Sequence, residues 1–297
     1  MKRIIAPIAA ILVLAAACGP TGTPEPSDRL TITVSILPQR TFVERIGGDR
    51  VTVNVMVQPG HSPATYEPKP EQLTTLARSA AYFAIGVPFE VVWLDRIAAT
   101  NPEMAIIDTA QHIERVPVTG HYRVALGGRP PVEGEGRDPH TWLSPTLVKI
   151  QARTIYEALV ELDPAHQAAY AANLERFLAD IDALIADIES TLAEVSNRKF
   201  MVFHPSWGYF GDDFELEMIP IQVGGQDPSA AELSDLIATA RTEAIKVIFA
   251  QPEFSTRAAE TIAQEIGGRV LLIDPLAEDW LDNLREVGKT FAQVLGG

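Results

Sequence analysis

From position 170 to 195 the apolar residues Tyr170, Leu174, Phe177, Ile181, Leu184, Ile188, Leu192 and Val195 recur at steps of three and four, with Asp and Glu on the other face. A period near 3.6 held this long predicts one amphipathic helix with a single stripe to bury. Asp163-Pro164 supplies its start signal. About thirty residues at 1.5 Å each reach roughly 45 Å, long enough to run along two lobes. The chain on either side must then supply a body for that stripe.

Both flanks read as alternating strands and helices. Runs at 30–36, 51–57, 81–85 and 105–107 predict strands, with helices near 39–47, 69–79, 89–100 and 144–161. The alternation restarts with strands at 200–203, 219–223, 246–250 and 270–273, and helices near 206–214, 229–242, 255–267 and 278–295. The expected fold is α/β: two βα-repeat lobes with mostly parallel sheets, joined by one long backbone helix, with a site in the cleft between them. Residues 29–162 form the expected N-terminal lobe, 163–197 the linker helix and 198–297 the C-terminal lobe. A helix joining lobes is stiffer than loop crossovers, so limited rocking is expected and no wide hinge closure. The irregular stretch at about 112–139 predicts a long loop, a type of segment that is usually mobile or functional.

The chain opens with Lys2 and Arg3, an apolar run from Ile4 to Ala17, and Cys18. Residues 1–17 read as an export signal, too short for a comfortable membrane span. Cys18 is the sole cysteine, which excludes an intrachain disulfide and a CxxC metal site. The run Leu14-Ala15-Ala16-Ala17-Cys18 resembles a bacterial lipoprotein processing site, which implies lipidation at Cys18 and a tether over 18–28. The expected location is therefore outside the cytoplasm, in the periplasm or at the cell surface, anchored to a membrane. Net charge is −15, and more negative once Lys2 and Arg3 are removed. A nucleic-acid partner is excluded on that balance.

Of the six histidines, two stand where ligands gather in open α/β sheets, beyond the carboxyl ends of strands. His204 follows the strand KFMVF, and His61 follows VTVNVMV within QPGHSPATYEP. Asp274 follows VLLI in the same way, and His140 sits in DPHTWLSP before a helix. Two candidates come from each half, so one ion between the lobes is expected. Neutral imidazoles are borderline-soft donors and a carboxylate neutralises charge, a set suited to a divalent transition metal. Three histidines and one aspartate would close a tetrahedral zinc site. Asp227 and Glu253, in loops at strand ends, are expected as partners orienting the imidazoles. His166 and His112 are expected at the surface, as is His121, with a transient metal contact open to it.

The blocks PGHSPATYEPKP, DPHTWLSP, FHPSWGYF and LLIDPLAEDW, in this order around the linker helix, resemble the zinc- and manganese-binding solute receptors of ABC importers. The resemblance covers essentially all of the chain after the signal. It implies a cargo of Zn2+, or Mn2+ or Fe2+ on the same scaffold, delivered by a monomer to a permease and its ATPase. It implies as ligands His140, His204, Asp274 and a histidine of the first block. In the family that first ligand follows the proline, where this chain has Ala64; the block's histidine, His61, stands three residues earlier. Either the Gly-Pro-rich loop delivers His61, or the site has three protein ligands and water. Zinc-selective members often carry a His-rich acidic loop, which His121 represents alone here. Manganese-selective members tend to have a carboxylate at the third place, where this chain has His204, so zinc is expected.

Rival readings are a surface zinc hydrolase and an adhesin. No HExxH motif accompanies the candidate ligands, and no repeat or extended apolar patch supports adhesion. No catalytic residue is expected.

Overall fold

The computed structural model describes residues 29–118, 136–222 and 224–296. The expected signal peptide, the tether with Cys18, and His121 lie outside the described residues. The first half contains β1 (Leu30–Val34), α1 (Leu37–Gly47), β2 (Val51–Val55), α2 (Pro70–Leu76), β3 (Ala81–Ala84), α3 (Pro88–Thr100), β4 (Ala105–Asp108) and α4 (Pro145–Leu162). Then α5 (Gln167–Leu192) leads to β5 (Lys199–Val202), α6 (Gly208–Asp213), β6 (Glu217–Pro220), α7 (Ala230–Thr242), β7 (Val247–Ala250), α8 (Arg257–Ile266), β8 (Arg269–Leu272) and α9 (Trp280–Leu295).

Prolines open several helices, since a fixed φ suits a first turn whose N–H lacks a partner anyway: Pro70 in α2, Pro88 in α3 and Pro145 in α4. Ser144 caps α4 by accepting the Leu147 N–H at 3.0 Å. In the long helix Pro164–His166 forms a 3-10 turn before α5 begins. The helix proper is thus 26 residues, about 39 Å at 1.5 Å per residue, shorter than the sequence reading. His166 is also not simply solvated: its Nδ1 lies 2.7 Å from Asp163.

The strand order is β2-β1-β3-β4 in one sheet and β6-β5-β7-β8 in the other. All these pairings are parallel. The two halves therefore repeat one topology. In each, the order reverses beside the first strand, between β1 and β3 and between β5 and β7. Such a switch point leaves a crevice at the strands' carboxyl ends, because the following connections diverge to opposite sides.

One apolar core runs through both lobes and the stripe of α5, and a smaller one closes the outer face of the second sheet. The buried residues of α5 are Tyr170, Leu174, Phe177, Ile181, Leu184, Ile188 and Leu192. They pack on α1 and α4 of one lobe and α9 of the other. Gly288 lets α9 approach closely, since a Cβ there would lie 3.2 Å from Ile188.

The lobes also touch directly. The Trp142 indole N–H donates to the Pro275 carbonyl at 2.7 Å, and the Trp280 indole N–H donates to the Trp142 carbonyl at 2.7 Å. Trp280 lies edge-on to Phe42 of α1 at 5.0 Å and near Phe177 of α5 at 6.4 Å. Ser144 donates to Asp213 at 2.7 Å. Buried bonds and rings of this kind oppose wide opening, in keeping with a helix-linked pair of lobes. Among the described residues no helix is long and apolar enough to cross a membrane.

Candidate metal site

His204 leaves β5 beside the second switch point, and its backbone is clamped from the neighbouring strand. Gln251, buried just after β7, accepts the His204 N–H at 3.1 Å and donates to its carbonyl at 2.7 Å. The His204 Nδ1 lies 3.1 Å from the Gln222 Oε1, and Gln222 in turn donates to Asp227 at 3.0 Å. An amide oxygen can only accept, so Nδ1 carries the proton and Nε2 keeps its lone pair. Phe254 stacks on the ring at 4.6 Å and 25°. Burial, with His140 close by, pulls the His204 pKa down to about 4. The ring is therefore neutral at pH 7, the state a metal requires.

His140 enters from the other lobe. Its ring Nδ1 and its backbone N–H both meet the Asp138 Oδ1, at 2.6 and 2.9 Å. Asp138 is buried. The carboxylate again holds the proton on Nδ1 and leaves Nε2 to coordinate. The two imidazoles lie 5.3 Å apart at 75°, and His140 rests on Trp142 at 5.2 Å.

Asp274 follows β8, one residue past Ile273, whose N–H bonds Ala250 at 2.9 Å. Its Oδ1 accepts the Leu276 N–H at 2.7 Å, and burial raises its pKa. Glu253 follows β7 across the switch point from His204. Burial, with the charge of Asp274 adding to it, pushes the Glu253 pKa up to about 7, and its Oε2 is buried without a hydrogen-bond partner. Both carboxylates line an interlobe cleft of about 260 Å³, faced from the N-terminal lobe by Val57, Pro59 and Gly60.

His61 stands apart. Gln58, Pro59, Gly60 and His61 make a turn closed by the His61 N–H on Gln58 at 3.1 Å. Pro at the second place and Gly60 at φ 77° suit a type II turn. That turn leaves the His61 ring exposed, 3.2 Å from the Pro59 carbonyl and edge-on to Tyr66 at 5.8 Å. His112 is exposed as well.

The structure thus gathers the candidates in two pairs, His140 with His204 and Glu253 with Asp274. Among the described residues no three His, Cys, Asp or Glu side chains converge closely enough to hold an ion as they stand. The pairs adjoin through their neighbours: Phe254 stacks on His204, and Pro275 accepts the indole bond from Trp142. Two imidazoles with free Nε2 atoms and two charge-supplying carboxylates fit a divalent transition metal. Asp227 reaches His204 only through Gln222, and Glu253 contacts no imidazole in the manner expected of an orienting partner. Asp138, Gln222 and Gln251 escaped the sequence reading. Asp138 carried the one usable signal, an acid two residues before a histidine across a proline, where a local side-chain turn forms readily.

A family model described as "Zinc-uptake complex component A periplasmic" matches residues 32–294. The chain is similar to the crystal structure of ZnuA, at 46% identity and a TM-score of 0.83 over 90% of this chain and 99% of that one. A ZnuA deletion mutant with zinc bound is similar at 46% identity and a TM-score of 0.83, over 91% of this chain and 99% of that one. The "High-affinity zinc uptake system protein ZnuA" of Bacillus subtilis is 24% identical, with 91% of this chain and 86% of the relative covered. The "Manganese-binding lipoprotein MntA" of Halalkalibacterium halodurans is 25% identical, with 97% and 96% covered. With two parallel α/β lobes, a backbone helix, a pair of imidazoles from opposite lobes and a pair of carboxylates on the interlobe cleft already in place, the match over nearly the whole described chain leads to one conclusion: the protein belongs to the family of periplasmic A components of zinc-uptake complexes, metal-binding solute receptors.

Proposed function

We propose that this protein captures zinc outside the cytoplasm and delivers it to the permease of an ABC importer, holding the ion with His140, His204 and Asp274. One observation carries the reading: two imidazoles from opposite lobes lie 5.3 Å apart with both Nδ1 atoms anchored. Each ring is held in the tautomer that offers Nε2, so coordination needs no change of proton position. Asp274 supplies negative charge from the cleft wall. The sequence pattern sets His61 beside these three, but its ring is exposed and rests edge-on to Tyr66, so the fourth place is open on this reading.

Capture on this reading is local. The indole bonds between Trp142, Trp280 and Pro275 keep the lobes engaged, so the histidine pair and the carboxylate pair come together by movement of their side chains and loops. A bound ion ties residues 29–162 to residues 198–297 across the 163–197 connection. The protein acts as a monomer, held to a membrane by a lipid on Cys18, and carries out no hydrolysis. Manganese or iron is the second reading, favoured by the two carboxylates on the cleft, since oxygen donors suit the harder ion.

Competition titration of metal-free protein with zinc and manganese tests the cargo. Tight one-to-one zinc binding that His140→Ala and His204→Ala each destroy is the expected result; zinc binding untouched by both variants would sink the site. Cys18→Ser should release the protein from the membrane fraction.

A further inference from the structure

The first block offers no donor as it stands. Its family position is Ala64, which has no coordinating atom in its side chain, and His61 is turned away by its own Pro-Gly turn onto Tyr66. Something else must complete four-coordination, or water does. The topology narrows the choice. The C-terminal switch point lies between β5 and β7, so the loops leaving those strands are the two that diverge around the crevice. His204 is on one and Glu253 is on the other.

Three observations single out Glu253 among the acids. It lines the interlobe cleft together with Asp274 and Glu278, and of these Glu278 is already paired with Arg40 at 2.7 Å. Its Oε2 is buried and lacks any hydrogen-bond partner, an arrangement that costs free energy unless something is bound there. Its neighbour Phe254 stacks on the His204 ring, which places the chain that carries Glu253 beside that imidazole. Asp227 lacks these traits, because Gln222 already occupies its Oδ1.

We propose that Glu253 is a direct metal ligand in this chain, replacing the donor that Ala64 lacks, so that the ion is held by His140 from one lobe and by His204, Asp274 and Glu253 from the other. The inference rests on the reading of His140, His204 and Asp274 as ligands. Its consequences are specific. Two carboxylates neutralise a divalent ion completely, and a set of two imidazoles with two carboxylates is harder than three imidazoles with one, which narrows the preference for zinc over manganese. Three of four ligands on one lobe also make the C-terminal lobe the main holder of the cargo.

The test compares Glu253→Gln, Glu253→Asp, His61→Ala, His140→Ala and His204→Ala in the whole chain after its export signal. Each is titrated with zinc against a chelator, and each is loaded with cobalt(II), whose visible absorption reports its ligand set. Glu253→Gln should lose more than the ~10–100-fold typical of residues that only orient ligands, and its cobalt spectrum should change. Glu253→Asp should recover part of the affinity, which keeps the test open if Glu253→Gln folds poorly; His61→Ala should match the parent protein. A loss within that orienting range with an unchanged cobalt spectrum overturns the proposal, as does a His61→Ala defect equal to that of His140→Ala. Zinc binding that survives His140→Ala and His204→Ala removes the underlying site, and the proposal with it.

Discussion

Replacing Trp142 by Phe should weaken both the fold and the metal site, whereas replacing Trp280 by Phe should weaken the fold alone. Trp142 is buried, and its indole N–H is the donor to Pro275 at 2.7 Å. Phenylalanine removes that donor and leaves the Pro275 carbonyl without it, a cost of ~1–3 kcal/mol. The smaller ring adds a gap of about 1 kcal/mol, so the sum is about 2–4 kcal/mol. For a chain of this size that lowers Tm by about 4–8 °C. Trp280→Phe removes the donor to the Trp142 carbonyl at 2.7 Å and should cost a similar amount. The difference lies in position. Trp142 touches the His140 ring at 5.2 Å and is bonded to the residue after Asp274, so it sets the spacing between ligands of opposite lobes. Trp280 instead packs on Phe42 and Phe177 and reaches the ligands only through the Trp142 carbonyl. Thermal melts of metal-free protein measure the first effect and zinc competition titrations the second. Equal zinc affinity in the two variants would refute the idea that the Trp142 bond aligns the site.

Zinc should raise the melting temperature of chelator-treated protein, since an ion bridging both lobes stabilises the native state by about 4 kcal/mol at a thousandfold excess over Kd; a melt that zinc leaves unmoved counts against a bridging site. Zinc affinity should fall as pH drops through about 7, because the Glu253 pKa stands at about 7 and a cation favours its charged form, while His204, at about 4, stays unprotonated and adds competition only below that range. Titration across pH 8 to 6 checks this, and Glu253→Gln should flatten the profile there. Asp138→Asn should weaken zinc binding ~10–100-fold with little change in the metal-free melt, because the His140 proton loses the carboxylate that fixes it to Nδ1; an unaltered Kd would show that Asp138 does not set the tautomer.

The parts of this protein legible in its sequence are those decided by periodicity. The stripe from Tyr170 to Leu192 is buried as its spacing demands, and the alternating strands form two parallel sheets of one repeated order. Boundaries slipped where local chemistry outweighs period. The run at 219–223 reads as strand, yet β6 occupies Glu217–Pro220, the edge place of its sheet where a proline's missing N–H is tolerated. The long helix starts late because Pro164–His166 tightens into a 3-10 turn.

The site was legible only as far as strand ends are. His204 and Asp274 follow strands, and their backbone positions come with the sheet. What holds His204 was not legible, because Gln222 reaches it from the loop after a different strand, whereas Asp138 sits two residues before His140 in a local turn that the sequence does signal. His61 shows the limit most clearly. Its distance from a strand end says that it is near the cleft, and Pro59 and Gly60 do line that cleft. Direction is another matter, because in a four-residue turn the positive φ of Gly60 decides which side the next residue takes. A histidine brought beside the cleft by its distance from a strand end can therefore present an exposed ring, and Glu253, expected to orient other ligands, has a buried oxygen without a hydrogen-bond partner.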